Sequence, residues 1–442
     1  MNVAPDGAGT ASPALVELYD TVLFDLDGVL YRGPDTVAGG PEAVASLRAR
    51  GVRLAFVTNN SSRTPEQVAA KLAGHGVDAA TGEVVTSAMV TADLLGERGG
   101  STAYVIGETG IREALRQAGL EVLPDEADRA DYVVVGVDSA ATYDRLRTAA
   151  LLVQRGATLV ATNADASYPA PDGLWPGAGA LLSVITTTTG RPPDAVVGKP
   201  HPPLLRGALE RAGGSRPLVV GDRLDTDISG AAAVGWDSLL VLTGVSTVRD
   251  LVGAADLPTF LADDLGALFR PSARIRPARP GDAEAIEVLL AHAGLQTEAV
   301  DVRVPDTLVA EVPPGEVVGT VSLELFGRGG GLSDGAGPRM AHLRSLAVAT
   351  DHRNGRLGSL LAARAVRLAL DRGASVVHAV TDTASGFFER IGFEPTGPRD
   401  SLPEVIRATP MVATACSSSS TAFRWEARLA SPAGRPDATD TH

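Results

Sequence analysis

The sequence predicts an α/β fold with a parallel sheet, followed by a second, mixed α/β domain. Three observations carry this. Between about residues 18 and 265 short apolar runs alternate with helical stretches, which is the pattern of a parallel sheet. Several of those runs end in acidic or amide residues, and in open parallel sheets ligands bind at the carboxyl ends of the strands. Around Phe269 to Arg274 the composition changes to FRPSAR, a linker, after which a differently patterned segment begins.

Taken in order, residues 1–14 are small and polar with Gly and Pro and are expected to be disordered. Thr21, Val22, Leu23 and Phe24 read as a short buried strand that runs into Asp25 and Asp27; alternation lets both carboxylates face one side, and Gly28 lets the backbone turn behind them. PEAVASLRARG is the next helix, VRLAFVTNN the second strand and TPEQVAAKLAGHG the second helix, with Pro65 at its start, where a missing N–H costs nothing. From about 86 to 190 the alternation continues through TAYVIG, DYVVVGVD and TLVATNAD; the pattern leaves open whether this extends the same sheet or forms an insert. AVVGKPHP, a helix near LLRGALERAG, and the strand PLVVGD follow, so that Asp222, Asp225 and Asp227 also come after an apolar strand. Beyond the linker, Asp282 is expected to cap an amphipathic helix, GRGGGLSDGAG to form an exposed hairpin loop, and DHRNGRLGSLLAARAVRLALDRGA to open a long helix from a loop.

With 442 residues there is room for roughly three domains at about 150 residues each. A net charge of −14 argues against non-specific attraction to nucleic acid or to an anionic membrane surface. The lone Cys416 leaves no intrachain disulfide, and the sequence shows neither a basic start with an apolar run behind it nor about 18 uninterrupted apolar residues. A soluble cytoplasmic protein is the expectation. Lys71 and Lys199 are the two lysines, so each calls for a reason.

Asp25 with Asp27, Thr58 with Asn59, Lys199, and Asp222 with Asp227 stand at strand ends or short loops in that order. Together DLDGVLYRG, VTNNSS, GKPHP and GDRLDTDI resemble the haloacid-dehalogenase (HAD) superfamily phosphatases of subclass IIA, over about residues 18–265. The resemblance implies a Rossmann-like core (15–85 and 191–268) and an α/β cap (86–190) inserted between the second and third motifs; composition adds a linker (269–273), a further domain (274–428) and a flexible tail (429–442). It also implies a nucleophile, Asp25, and a general acid and base, Asp27. Mg²⁺ would be held by Asp25, the Asp27 backbone carbonyl and Asp222; Asp227 would orient that shell or cap the following helix. Thr58, Asn59 and Asn60 would bind the phosphate of a small-molecule phosphate ester, with Lys199 neutralising its charge. Thr162, Asn163 and Asp165 either end a strand as turn residues or touch substrate. Related pyridoxal-phosphate phosphatases carry a histidine where this chain has Tyr168, whereas glycerol 3-phosphate phosphatases with an acetyltransferase-like segment share its organisation, which makes glycerol 3-phosphate the expected substrate. A sugar-phosphate or nucleotide phosphatase is the alternative, and similar proteins form cap-mediated homodimers.

Residues 274–428 resemble the GNAT acetyltransferases through IRPARPGDAEAIEVLL, LRSLAV, DHRNGRLGSLLAARAV and GFFERIGFEP. This implies an acetyl-CoA site at Arg353, Asn354, Gly355, Arg356 and Gly358, where backbone N–H groups open a helix. Two departures stand out: Arg356 occupies a usual glycine position, and Phe388 stands where many members have a tyrosine general acid. Phe388 reads as a core aromatic, and Asp382 and Glu389 as bases or surface charges. The domain is therefore expected to be either an acetyltransferase or a non-catalytic sensor or dimerisation module.

Overall fold

The computed structural model describes residues 12–170, 172–295, 306–327, 339–415 and 417–427. Most of the expected disordered start, the body of the Gly-rich hairpin loop, the C-terminal tail and Cys416 lie outside the described residues. The chain divides into two units, Met1–Ser246 with Asp256–Ser272, and Thr247–Ala255 with Ala273–His442.

A six-stranded parallel sheet organises the first unit, in the order Phe260–Ala262, Asp237–Val241, Pro217–Gly221, Thr21–Phe24, Arg53–Thr58, Val84–Thr86. Thr21–Phe24 is buried throughout and sits between strands that come from opposite ends of the unit, with Phe24 in register with both Val220 and Phe56. Its uninterrupted apolar run follows from burial on both faces: Val22 and Phe24 enter one apolar cluster with Phe56 and Val220, while Leu23 enters a second with Val57 and Val219. Just before it, Asp20 accepts hydrogen bonds from Thr21 Oγ1 (2.7 Å), Ser215 Oγ (2.6 Å) and Arg216 N (2.9 Å). These tie the start of the central strand to that of its neighbour.

Residues 102–196 build a separate five-stranded parallel sheet, in the order Ala195–Val196, Thr158–Ala161, Tyr132–Val135, Thr102–Ile106, Glu121–Val122. Its edge strand lies beyond residue 190, where the sequence placed the end of the cap, and Thr86 belongs to the core sheet; both are corrections to the expected boundaries. Thr86 also caps the helix Ser87–Arg98 by accepting from Met89 N (3.2 Å), so one residue closes the core strand and opens the crossing helix. A short antiparallel hairpin, Ser167–Ala170 with Gly173–Pro176, forms a separate two-stranded sheet.

In the second unit a seven-stranded mixed sheet runs Arg274–Pro277, Thr307–Val312, Glu316–Phe326, Met340–Val348, Val376–Thr381, Thr421–Glu426, Glu394–Pro398. Met340–Val348 and Val376–Thr381 are its parallel pair, and their pairing ends at Leu343 and Ala379 although the first strand continues to Val348. Asp282 precedes the helix Ala283–His292 but does not cap it with its side chain; its carboxylate instead takes two bonds from the Arg276 guanidinium (2.7 and 2.9 Å) and one from Arg279 N (2.6 Å). Phe388 is buried against Phe387, Phe393 and Phe423 at centroid distances of 5.3–5.4 Å.

Candidate active site

Because every core strand is parallel, their carboxyl ends deliver side chains to one edge. Asp25, Asp27, Thr58, Asn59, Asn60, Lys199 and Asp222 all line one cleft there, of about 1060 Å³, with Asn163, Asp165 and Tyr168 from the cap facing them. Asp227 is 1 % exposed and supports the cleft from below. It lies in a single π-helical turn, Leu224–Ile228, that follows Pro217–Gly221.

Lys199 is the electrostatic centre. Its side chain is 3 % exposed, and Nζ donates to Asp25 Oδ1 (2.5 Å), Asp227 Oδ1 (2.6 Å) and the Val57 carbonyl (3.4 Å). Burial alone would lower its pKa, but the two carboxylates outweigh that and raise it, so the ammonium stays charged. Burial raises the Asp25 carboxyl well above the ordinary range, opposed by Lys199.

Asp222 is 1 % exposed and pushed up to about 7, by burial first and by repulsion from Asp227 second. One of its oxygens accepts from Val245 N (2.7 Å); the other, Oδ1, has no partner among the described residues. Oxygens of Asp25, Asp222 and Asp227 lie within 4.8 Å of one another. A buried carboxylate oxygen without a donor, set among like charges, is stabilised by a cation, and an all-oxygen donor set suits a hard divalent ion. The residues present fit a metal.

Backbone makes this crowding feasible. Gly28 has φ of +86°, and a Cβ there would stand 2.3 Å from Asp222 Oδ2; one on Gly244 would stand 1.9 Å from the same oxygen. A Cβ on Gly221 would meet Asp227 at 2.2 Å. The sequence reading used Gly28 but passed over Gly221 and Gly244, although each adjoins an apolar strand end.

One of the expected phosphate ligands is engaged elsewhere. Asn59 brackets Lys199: its Oδ1 accepts from Lys199 N (2.7 Å) and its Nδ2 donates to Lys199 O (2.9 Å) and Asp165 Oδ2 (3.1 Å). Its own carbonyl is held by Ser87 Oγ (2.6 Å) and Asn163 Nδ2 (2.8 Å). Asn60, which lines the cleft, is held through its amide oxygen: Oδ1 accepts from Ser62 N and Oγ (2.8 and 2.7 Å), which fixes the loop. Asn59 thus positions Lys199, because both polar ends of its side chain are used on that residue's backbone. Thr58 Oγ1 accepts from Asn60 N (3.1 Å), which leaves the hydroxyl proton to point into the cleft.

Asp27 stands at the solvent side of the cleft, and burial nonetheless raises its carboxyl, against the opposing charge of Lys71. Lys71 was singled out in the sequence but given no place in the site, and it lines the same cleft. The signal was there in the chain's having two lysines, and Lys71 Nζ lies 3.7 Å from the centroid of the Tyr31 ring on the cleft wall.

The other expected binding residues sit in the second unit. Arg353 through Gly358 lead from a short 3₁₀ turn, Thr350–His352, into the helix Leu357–Asp371. The left-handed positions in this loop are Asn354 (φ 65°) and Arg356 (φ 62°), not Gly355 or Gly358. Arg353 Nε donates back to the Val348 carbonyl (3.0 Å).

Residues 22–121 match the family model of haloacid dehalogenase-like hydrolases, residues 196–268 a HAD-hydrolase-like model, and residues 285–393 the acetyltransferase (GNAT) family. The chain belongs to the haloacid dehalogenase-like hydrolases and carries a C-terminal GNAT domain. It is 43 % identical over 250 residues to the acid sugar phosphatase of Staphylococcus aureus, covering 56 % of this chain and 95 % of that one. The magnesium complex of a glycerol phosphate phosphatase from Mycobacterium tuberculosis is 30 % identical with a TM-score of 0.65, over 86 % of this chain and 99 % of that one. A 4-nitrophenylphosphatase from Thermotoga maritima is 33 % identical with a TM-score of 0.55, over 57 % of this chain and 97 % of that one. Among the described residues no helix is long and apolar enough to cross a membrane.

Proposed function

We propose that this phosphoric monoester hydrolase is a Mg²⁺-dependent phosphatase acting through a phosphorylated Asp25 on a small phosphorylated metabolite, glycerol 3-phosphate. The observation that carries the reading is the buried group of Asp25, Asp222, Asp227 and Lys199, whose charges and unpartnered oxygen suit a cation and a phosphate together. Asp25, Asp222 and the Asp27 carbonyl would hold Mg²⁺, which when bound offsets repulsion between carboxylate and phosphate. Asp25 attacks phosphorus, and the bond to the leaving oxygen breaks as Asp27 supplies its proton. Asp27 then takes a proton from the water that hydrolyses the aspartyl phosphate. Lys199 neutralises charge on the phosphoryl oxygens, Thr58 donates to one of them, and Asn59 holds the Lys199 backbone in place. A raised Asp27 carboxyl suits the first proton transfer, since a donor must reach the site protonated.

The choice of glycerol 3-phosphate is supported by the solved structure of a glycerol phosphate phosphatase that this chain resembles over both units. A sugar phosphate is the second reading, supported by the identity to the acid sugar phosphatase. Phosphate release from a panel of glycerol, sugar and nucleoside phosphates, with Mg²⁺ and with EDTA, decides between them. We expect the highest kcat/KM for glycerol 3-phosphate and silence in EDTA. A sugar phosphate preferred by tenfold would reverse the order of the two readings, and turnover indifferent to chelation would contradict the metal.

For the second unit the reading is acetyl-CoA binding at the Arg353–Gly358 loop, where the first turn of a 15-residue helix offers unpaired backbone N–H groups to a pyrophosphate. Phe388, apolar and buried among aromatics, supplies no proton and favours a sensor over a transferase. Calorimetry with acetyl-CoA should register binding; none would leave the unit a structural module.

A further inference from the structure

We propose that Lys71 selects the leaving group, and that it does so by donating hydrogen bonds to the hydroxyls of a neutral polyol. The inference rests on the phosphatase reading of the same cleft and narrows its substrate class.

Lys71 lies on the helix Pro65–Gly74, which follows directly from the Thr58–Asn60 loop. Its half-buried stem carries Nζ onto the face of Tyr31, 3.7 Å from the ring centroid, and this contact fixes where the charge sits. Among the described residues its ammonium makes no hydrogen bond and no ion pair, so three donors remain for a ligand. Asp27, which gives its proton to the leaving oxygen, lines the same wall and is the carboxylate whose charge Lys71 feels. Lys71 therefore stands on the side from which the leaving group departs.

The cap faces this wall with acceptors. Glu108 is held through one carboxylate oxygen by Ser139 N (3.0 Å) and Ser139 Oγ (2.7 Å), which leaves its second oxygen for another donor. Asp165 lies deeper and is bonded to Asn59. Donors Lys71 and Arg63 and acceptors Glu108 and Asp165 line the one cleft, balance in charge, and match a hydroxylated group of no net charge. An anionic leaving group would meet Glu108 and Asp165, and an aryl group would remove water from Lys71 and Glu108 without replacing its hydrogen bonds.

The test compares kcat and KM on glycerol 3-phosphate and on phenyl phosphate for the wild type, Lys71→Met and Lys71→Arg, with folding checked by melting. In Lys71→Met the ratio of kcat/KM for glycerol 3-phosphate to that for phenyl phosphate should fall roughly tenfold or more, mainly through KM, as expected for losing a charged hydrogen-bond donor. Lys71→Arg, which keeps charge and donors, should restore most of it. A merely structural lysine would lower both esters alike, and an unmoved ratio in the folded variant overturns the proposal. Lys71→Leu, which also removes every donor but packs differently, is measured alongside, and the same fall is expected from it. If the wild type releases phosphate from neither ester, the phosphatase reading fails and takes this one with it.

Discussion

Lys199 is one buried ammonium shared by two carboxylates, and removing it leaves Asp25 at the cleft and the buried Asp227 without a counter-ion. Breaking such a group costs about 3–5 kcal/mol, far more than an exposed pair. Without the lysine, ionised carboxylates destabilise the fold, so the loss must grow as pH rises above the ordinary carboxylate range. We expect Lys199→Met to melt lower than the wild type in EDTA, by a margin that widens between pH 5 and pH 8. Melting within a degree of the wild type at both would contradict the geometry. At this scale the sequence was informative about which residues meet and less so about what each does. Asp25, Lys199 and Asp222 were legible because charges at apolar strand ends need a reason to be there. The use of Asn59 to hold Lys199 was not, since an amide beside a threonine expected to bind phosphate looks the same whether it binds ligand or backbone. Lys71 was noticed by rarity alone, because its contact with Tyr31 joins two segments 40 residues apart.

The strands of the core were readable for a simple physical reason: both faces are buried, so each is a short unbroken apolar run with polar residues at its end. Boundaries were harder. The edge strand Ala195–Val196 has two residues and little pattern, so a sequence reading ended the cap before reaching it. Asp282 had the position of a cap but was claimed by Arg276, a partner that comes from the preceding strand. The second unit holds a feature that periodicity hides altogether: His342 and His378 face one another across the parallel pair, and neither ring nitrogen of His342 has a partner among the described residues. Burial, reinforced by Arg344 and His378, lowers the pKa of His342 to about 3. An unfolded histidine titrates near 6.5, so below that pH the unfolded chain takes up a proton that the folded strand refuses. Stability should therefore fall as pH drops from about 6.5 towards 3, by about 2 kcal/mol at pH 5 from this residue. His342→Leu should slow hydrogen exchange of Met340–Val348 relative to the wild type at pH 5 and lose that advantage at pH 8. An advantage equal at both pH values would contradict the assignment.

At the scale of the whole molecule, two units of different sheet architecture share one acidic chain. The division was visible in the sequence because alternating strand and helix gives way, after a Pro- and Arg-containing linker, to long strands of the mixed sheet. In one respect the structure divides the chain differently: Thr247–Ala255 belongs with the second unit, which a reading by linker composition could not anticipate. In the proposed mechanism the chemistry of the first unit rests on a single side chain, since Asp27, Lys199 and the carboxylates proposed to hold the metal would all act on whatever Asp25 attacks. The most direct measurement is phosphate release from glycerol 3-phosphate with Mg²⁺ by the wild type and by Asp25→Asn, each shown to be folded by its melting curve. We expect the asparagine variant to lose activity by at least about a thousandfold, as nucleophile removal does elsewhere. A folded Asp25→Asn protein that turns over at the wild-type rate would contradict the account.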